Sequence, residues 1–177
     1  MTANTIFTYI DSPLGRIMVL GDGEFVTGLY MPDHKGRPGL DASWQLAEEP
    51  FAAIREQLAE YFAARRQEFS VPLKLAGTPF QRRVWQELLQ IPFGSTISYA
   101  ELARRIGQPT ATRAVGNANG RNPVSILVPC HRVIGANGQL TGYGGGIDRK
   151  QWLIEWERRP ARLQSAELPI GEAAVAA

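Results

Sequence analysis

The 177-residue sequence predicts an α+β fold in two parts: an N-terminal antiparallel sheet carrying one helix, and a C-terminal helical domain containing a helix-turn-helix. Three observations lead there. The first thirty residues alternate short apolar runs with Gly- and Asp-bearing turns, the spacing of a β meander. After residue 50, apolar side chains recur at helical intervals. Between Thr78 and Arg121, helical stretches with their own start signals are separated by Gly/Pro breaks.

Taken in order, strands are expected over Thr5 to Ile10, Arg16 to Leu20 and Phe25 to Met31, joined by Ser12-Pro13-Leu14-Gly15 and Gly21-Asp22-Gly23-Glu24. Both connectors hold residues suited to tight turns. A polar, Pro/Gly-bearing loop follows from Pro32 to about Ser43. Phe51, Ile54, Leu58, Tyr61 and Phe62 then form the apolar face of an amphipathic helix that packs on the sheet, and Phe69 to Leu75 reads as an extended connector.

At Thr78-Pro79-Phe80-Gln81 the chain offers a capping threonine, a proline fit for the first helical position and a glutamine that can close a capping box. That helix runs to about Gln90 and is broken by Ile91-Pro92-Phe93-Gly94. Ser98-Tyr99-Ala100-Glu101 offers a second capping box for a short helix through Ile106. Gly107-Gln108-Pro109 then turns the chain into another helix over Thr110 to about Asn119. Short helix, Gly-containing turn, short helix is the helix-turn-helix pattern. The small residues of its second helix, Ala111, Ala114, Gly116, Ala118 and Gly120, suit close approach to a nucleic-acid groove and equally suit packing on a neighbouring helix. After an Ala136-Asn137-Gly138-Gln139 turn, Asp148-Arg149-Lys150-Gln151 opens a last helix with Trp152, Leu153 and Trp156 on its apolar face. The expected division is 1–77, 78–160, and a loosely ordered Ala-rich tail over 161–177.

Composition bounds the chemistry. With 44% hydrophobic residues the chain can bury a sizeable core. No stretch approaches the roughly 18 apolar residues of a membrane span, and the N-terminus lacks the basic start and apolar core of a signal peptide. A cytoplasmic location without membrane partner is therefore expected. One cysteine cannot close an intramolecular disulfide, and one cysteine with His34 and His131 makes no zinc set, so no metal is expected. The net charge of +2 conceals a division: residues 78–163 hold 12 Lys/Arg against 5 Asp/Glu, and the remainder holds 7 against 12. The basic half is the place to look for a polyanion.

Cys130 lies in that half, within Asn122-Pro123-Val124-Ser125-Ile126-Leu127-Val128-Pro129-Cys130-His131-Arg132-Val133-Ile134-Gly135. A free thiol titrates near pH 8.5 and nearby cations lower that value, which makes His131 and Arg132 the expected activators. The plain reading is that of a small buried hydrophobe. Pro-Cys-His-Arg-Val, approached through Asn-Pro and followed by Thr141-Gly142-Tyr143-Gly144-Gly145-Gly146, resembles the active-site segment of the O6-alkylguanine-DNA alkyltransferases. The resemblance runs from about Thr78 to Glu157.

The resemblance implies a ribonuclease H-like N-terminal fold and a winged-helix-like second domain. It also implies an irreversible, stoichiometric transfer of an alkyl group from O6-alkylguanine in double-stranded DNA, and O4-alkylthymine as a further candidate, to Cys130 after base flipping. His131 takes the thiol proton through a water, Glu157 orients His131, and Asn122 braces the turn beside the cysteine. Tyr99 donates to the extruded base, backbone carbonyls of Cys130 and Val133 read its exocyclic amine, Tyr143 walls the pocket, and the Gly144 amide reaches O6. Gly144 stands where some relatives have serine, which leaves pocket rigidity and width open. Arg113 fills the stack left by the flipped base, with Thr112, Ala114, Gly116, Asn117 and Arg121 on the same DNA-facing helix; Thr112 replaces an alanine common in relatives.

No cofactor is implied: the glycine run after Thr141 lacks the strand-to-helix setting of a dinucleotide fingerprint. A monomer without an obligate protein partner is expected. Two other classes stay open at this point. A recognition-only DNA-binding module would bind the lesion without transfer, and family members of that kind have tryptophan in place of the cysteine. A cysteine hydrolase or thiol redox enzyme would use Cys130 and His131 but gives no reason for the helix-turn-helix.

Overall fold

The structure, a computed structural model, describes residues 4–159. The tail expected from residue 161 lies outside the described residues. Strands β1 (Ile6–Ile10), β2 (Ile17–Gly21) and β3 (Val26–Tyr30) form the expected antiparallel meander, with Ile10 opposite Ile17 and Met18 opposite Tyr30. A fourth strand, β4 (Gln45–Leu46), lies parallel to β1 at Ile6 and Phe7, so the sheet is mixed, in the order β3-β2-β1-β4. Two exposed residues carry no alternating pattern, which is why the sequence predicts no strand there.

Alternation along β2 serves both faces of the sheet. Ile17 and Val19 enter the main core, while Met18 and Leu20 pack with Phe7, Tyr9, Tyr30 and Trp44 on the other side. On the main face lies α1 (Ala52–Phe62), entered through a 3-10 turn over Glu49–Phe51; it buries Ile54, Leu58 and Tyr61. The same apolar cluster includes Val84, Trp85, Leu88, Leu102, Val115, Leu153 and Trp156, so residues of both halves share one core.

Helix α2 (Pro79–Leu88) begins with the complete capping box: Thr78 accepts from the Gln81 amide and the Gln81 side chain accepts from the Thr78 amide. At α3 (Tyr99–Arg105) only half of the second box forms. Ser98 caps the Glu101 amide at 3.1 Å, but the Glu101 carboxylate turns to Arg104 and Arg105, where ion pairs outbid a reach back to the cap. The next helix, α4 (Thr112–Gly120), starts two residues later than the sequence suggests, because Ala111 N–H bonds Gln108 O and keeps Pro109-Thr110 in a turn. Gly107, at φ 71°, supplies the left-handed corner between α3 and α4. Helix α5 is Ile147–Arg158. Among the described residues, no helix is long and apolar enough to cross a membrane.

Two pairings position the reactive segment. Strand β3 is the sheet edge, and its Leu29 donates to Pro123 O at 2.8 Å while accepting from Ser125 N–H at 3.1 Å. The segment before Cys130 is thereby docked on the sheet. A short parallel pair, β5 (Ile97–Ser98) with β6 (Val133–Ile134), holds the segment after it against the start of α3.

The capping box yields a stability prediction. Thr78→Ala removes the side-chain acceptor at α2 and is expected to lower unfolding free energy by about 1 kcal/mol. Urea denaturation should register this as a shifted midpoint with an unchanged slope.

Candidate active site

Cys130 opens a 3-10 turn over Cys130–Arg132 and is only 3% exposed. Asn122, fully internal at the start of the loop after α4, donates from Nδ2 to Cys130 Sγ at 3.0 Å and to Val128 O at 2.8 Å. Its Oδ1 accepts the Val124 amide at 3.0 Å. One side chain thus bonds both arms of the loop and the sulfur. Within that loop Ile126 has φ 72°, a left-handed conformation that costs a β-branched residue about 1–3 kcal/mol. Flanking bonds from Leu127 N to Ser125 O at 2.9 Å and from Val128 N to Val124 O at 3.0 Å hold it there.

Glu157 gathers the next shell of the site. Its Oε1 accepts from Tyr61 Oη at 2.8 Å, His131 Nε2 at 2.8 Å and Arg132 Nη2 at 3.0 Å. Its Oε2 accepts from Arg132 Nε at 2.9 Å and the Gly94 amide at 3.1 Å. Burial alone would raise this carboxyl, but His131 and Arg132 overcome it and hold it well below the usual glutamate range. Gly94 has φ 75°, and a Cβ there would stand 3.0 Å from the Glu157 carbonyl, so glycine lets the amide come this close.

An ionised Glu157 fixes the histidine tautomer. The carboxylate can only accept, so His131 Nε2 carries the proton and Nδ1 presents a lone pair. Burial lowers the His131 pKa against the pull of Glu157, which keeps the ring neutral. Nδ1 is buried without a hydrogen-bond partner among the described residues. An oriented imidazole with a free basic nitrogen, one residue from a thiol, is equipped to receive a proton across a bridging water.

The thiol itself is not ionised at rest. Burial pushes Cys130 up, opposed by the Asn122 hydrogen bond, the Lys150 charge and the Ser125 hydroxyl. This corrects the expectation that His131 and Arg132 lower it. His131 is neutral, and the Arg132 guanidinium points to Glu157 and to Ile91 O. The cation that acts on the sulfur is Lys150, buried on α5, with its pKa lowered by burial to about 8. Lys150 Nζ donates to Thr141 O at 2.8 Å and to Tyr99 Oη at 3.3 Å.

Tyr99, at the start of α3, spends its proton on Thr141 O at 2.8 Å, so its phenol must turn to serve a bound base. Tyr143 is buried, and Val133 is fully internal on β6. The Cys130 carbonyl accepts from Asn119 Nδ2 at 3.2 Å and from the Val133 amide, so a ligand that reads it must share or displace one of these donors. Gly144 lines an open cleft of about 530 Å³ together with Gly116, Asn117, Arg121 and Tyr143. The cleft therefore joins the pocket wall to the outer face of α4. On that face Arg113, Ala114, Asn117 and Arg121 are exposed, and Thr112 and Gly116 half-buried.

Sequence reasoning missed Lys150, Asn119, Ser125, Tyr61 and the direction of Arg132. For Lys150 a signal existed. Positions 150, 153, 154 and 157 share one face of α5, and a lysine and a glutamate on a face that otherwise buries Leu153 and Ile154 mark a functional interior.

Fold and site together define a class: a buried, hydrogen-bonded thiol served by a His–Glu pair and set beside a helix-turn-helix with a basic face. Comparison with known proteins agrees. Residues 79–159 match the family described as 6-O-methylguanine DNA methyltransferase, DNA binding domain, and residues 5–75 match its ribonuclease-like domain. Methylated-DNA--protein-cysteine methyltransferase of Mycolicibacterium paratuberculosis is 52% identical over 156 residues, 87% of this chain and 94% of that protein. The protein of the same name from Methanosarcina acetivorans is 46% identical over 153 residues, 85% and 97% of the two chains. Among solved structures, Mycobacterium tuberculosis OGT in complex with DNA superposes with a TM-score of 0.82 at 49% identity, covering 92% of this chain and 99% of that one. The chain belongs to the 6-O-methylguanine DNA methyltransferase family.

The Glu157 cluster sets an acid dependence. A carboxyl held below its unfolded value contributes fully above the ordinary glutamate range near pH 4.5 and loses that contribution as pH falls. Glu157→Gln leaves the buried Arg132 charge without its carboxylate and is expected to cost about 3–5 kcal/mol at neutral pH. In a pH series of denaturation midpoints, the variant should lose less than the wild type between about pH 5 and 3.

Proposed function

We infer that this chain carries out direct-reversal DNA repair as a single-turnover methylated-DNA--protein-cysteine methyltransferase, moving the alkyl group of O6-alkylguanine in double-stranded DNA onto Cys130. The observation that carries the reading is the buried thiol beside a neutral, oriented His131 whose Nδ1 has no hydrogen-bond partner among the described residues. Sγ loses its proton by way of a water to His131, a C–S bond forms as the C–O6 bond breaks, and the purine takes up a proton to become guanine. Sulfur suits displacement at carbon because it is soft and strongly nucleophilic as the thiolate. O4-alkylthymine presents the same kind of bond.

The remaining roles follow from position. Asn122 braces the loop and, with Ser125 and Lys150, favours the thiolate once the proton leaves. Tyr99 donates to the extruded base and Lys150 resupplies its proton. Tyr143 and Gly144 wall the pocket, and Val133 and Cys130 offer carbonyls to the exocyclic amine. Along the outer face of α4, Thr112, Ala114, Gly116, Asn117 and Arg121 meet the DNA backbone and groove, and Arg113 enters the stack in place of the flipped nucleotide. A thioether is not readily displaced, so each chain acts once, and the reaction needs no cofactor. The division of labour is a scaffold over 1–77 and an acceptor domain over 78–160, acting as a monomer in the cytoplasm.

Two experiments test this. After mixing with duplex DNA containing O6-methylguanine, intact mass should rise by one methyl group per chain, mapped to Cys130, and Cys130→Ala should retain DNA affinity while gaining no mass. Tight lesion binding at unchanged mass would instead mean a recognition-only module, and turnover of an ester or peroxide a hydrolase or redox enzyme. Separately, Arg113→Ala is expected to slow capture of a paired lesion at least tenfold while leaving attack on free O6-benzylguanine within about twofold, because only a stacked base must be extruded. Equal losses on both substrates would remove the wedge role.

A further inference from the structure

One residue lining the open cleft beside the site comes from the N-terminal part: Lys35, on the loop after β3, which stands there with Gly116, Asn117, Arg121, Tyr143 and Gly144. We propose that Lys35 holds a backbone phosphate of the nucleotide that leaves the duplex, so that the N-terminal part is a DNA contact as well as a scaffold. This rests on the reading that a base is extruded toward Cys130.

What must fill the cleft follows from its two ends. Its volume, about 530 Å³, is in the range of small-ligand pockets, about 300–1,000 Å³. The pocket wall at Gly144 is one end and the outer face of α4 the other. A base seated against the wall stays joined to a duplex lying on α4 through its sugar and flanking phosphates, and those are the atoms that span the cleft. Phosphodiesters are anions. The lining carries two cations, Lys35 from the N-terminal part and Arg121 from the end of α4, and no Asp or Glu among the described residues.

The charge of the N-terminal part sets Lys35 apart. Residues 1–77 hold 7 Lys/Arg against 10 Asp/Glu. Of these cations, Arg55 pairs with Glu48, Arg66 with Glu60 and Lys74 with Asp22. Lys35 is exposed, and its side chain has no ion pair or hydrogen bond among the described residues.

Its main chain, by contrast, is fixed. Lys35 N–H donates to Gly144 O at 3.0 Å. The preceding His34 is buried: its Nδ1 accepts from the Gly36 amide at 3.0 Å, and a Cβ at position 144 would stand 2.5 Å from its Cε1 and Nε2. The ammonium is thus carried from a set place on the pocket wall, on a flexible stem that reaches into the cleft. Little backbone ordering remains to oppose binding.

The test measures binding of a duplex with one O6-methylguanine to Cys130→Ala protein, which cannot transfer, between about 50 and 200 mM salt. Adding Lys35→Ala is expected to weaken binding about fivefold and to flatten the slope of log K against log salt by about 0.9, the share of one phosphate. Lys35→Arg keeps the charge and should restore both. When single phosphates beside the lesion are replaced by neutral methylphosphonate, one position should be found at which Lys35→Ala costs less than about twofold. An unchanged slope, a loss that no methylphosphonate removes, or no restoration by Lys35→Arg would overturn the proposal. With Cys130 in place, attack on free O6-benzylguanine, which has no phosphate, is the comparison: a loss in Lys35→Ala as large there as on the duplex would mean action through the Gly144 wall and would also overturn it. Wild-type protein that shows the charge-dependent binding but takes up no methyl group would sink the function reading and leave this test intact.

Discussion

The buried carboxylate of Glu157 is the constraint on which the site depends. An ionised carboxylate out of water is unfavourable by several kcal/mol unless its lone pairs are met. Here five donors meet them, from α1, from the break after α2, and from the turn that bears the thiol. Because the donors come from distant segments, satisfying the charge also sets where those segments sit. Tyr61 links α1 to α5 twice, through its hydroxyl to Glu157 and through its carbonyl to Trp156 Nε1 at 3.3 Å. Scaffold and acceptor turn are therefore held by the same atoms that orient the imidazole.

A second consequence concerns when the thiol is reactive. Burial favours the protonated form, and the groups that oppose burial act on the sulfur only as an anion acceptor. The resting protein thus keeps its single cysteine neutral and shielded. Ionisation becomes favourable when the proton has somewhere to go and the alkyl carbon is in line. The strained Ile126 and the two-sided grip of Asn122 keep the sulfur in place meanwhile, so little reorganisation remains for the reacting complex.

What the sequence revealed and what it hid follow a physical pattern. The meander, the helix of Phe51 to Phe62, the Thr78 capping box and the helix-turn-helix are local, written in periodicity and cap residues within a dozen positions. The short parallel pairs β1–β4 and β5–β6 are not local, and strands of two residues carry no period to read. At the site, Cys130, His131 and Asn122 stood out as a motif. Glu157 could be named only by resemblance, since 26 residues separate it from His131. Lys150 and His34 went unread because their importance arises from burial, and burial of a polar side chain is decided by tertiary packing. The same blindness produced the mistaken role for Arg132: adjacency along the chain placed its charge near the sulfur, while the fold turned the guanidinium away.

Helix α4 is held from three directions. Trp85 Nε1 donates to Ala118 O at 2.8 Å, Asn119 ties its last turn to the Cys130 carbonyl, and Val115 is locked in the core beside α3. A helix so anchored shares its position with the turn that bears the thiol, because moving either one strains the bond from Asn119 Nδ2 to the Cys130 carbonyl. A load placed on the exposed face of α4 is therefore passed to the peptide beside the sulfur instead of being absorbed by bending of the helix.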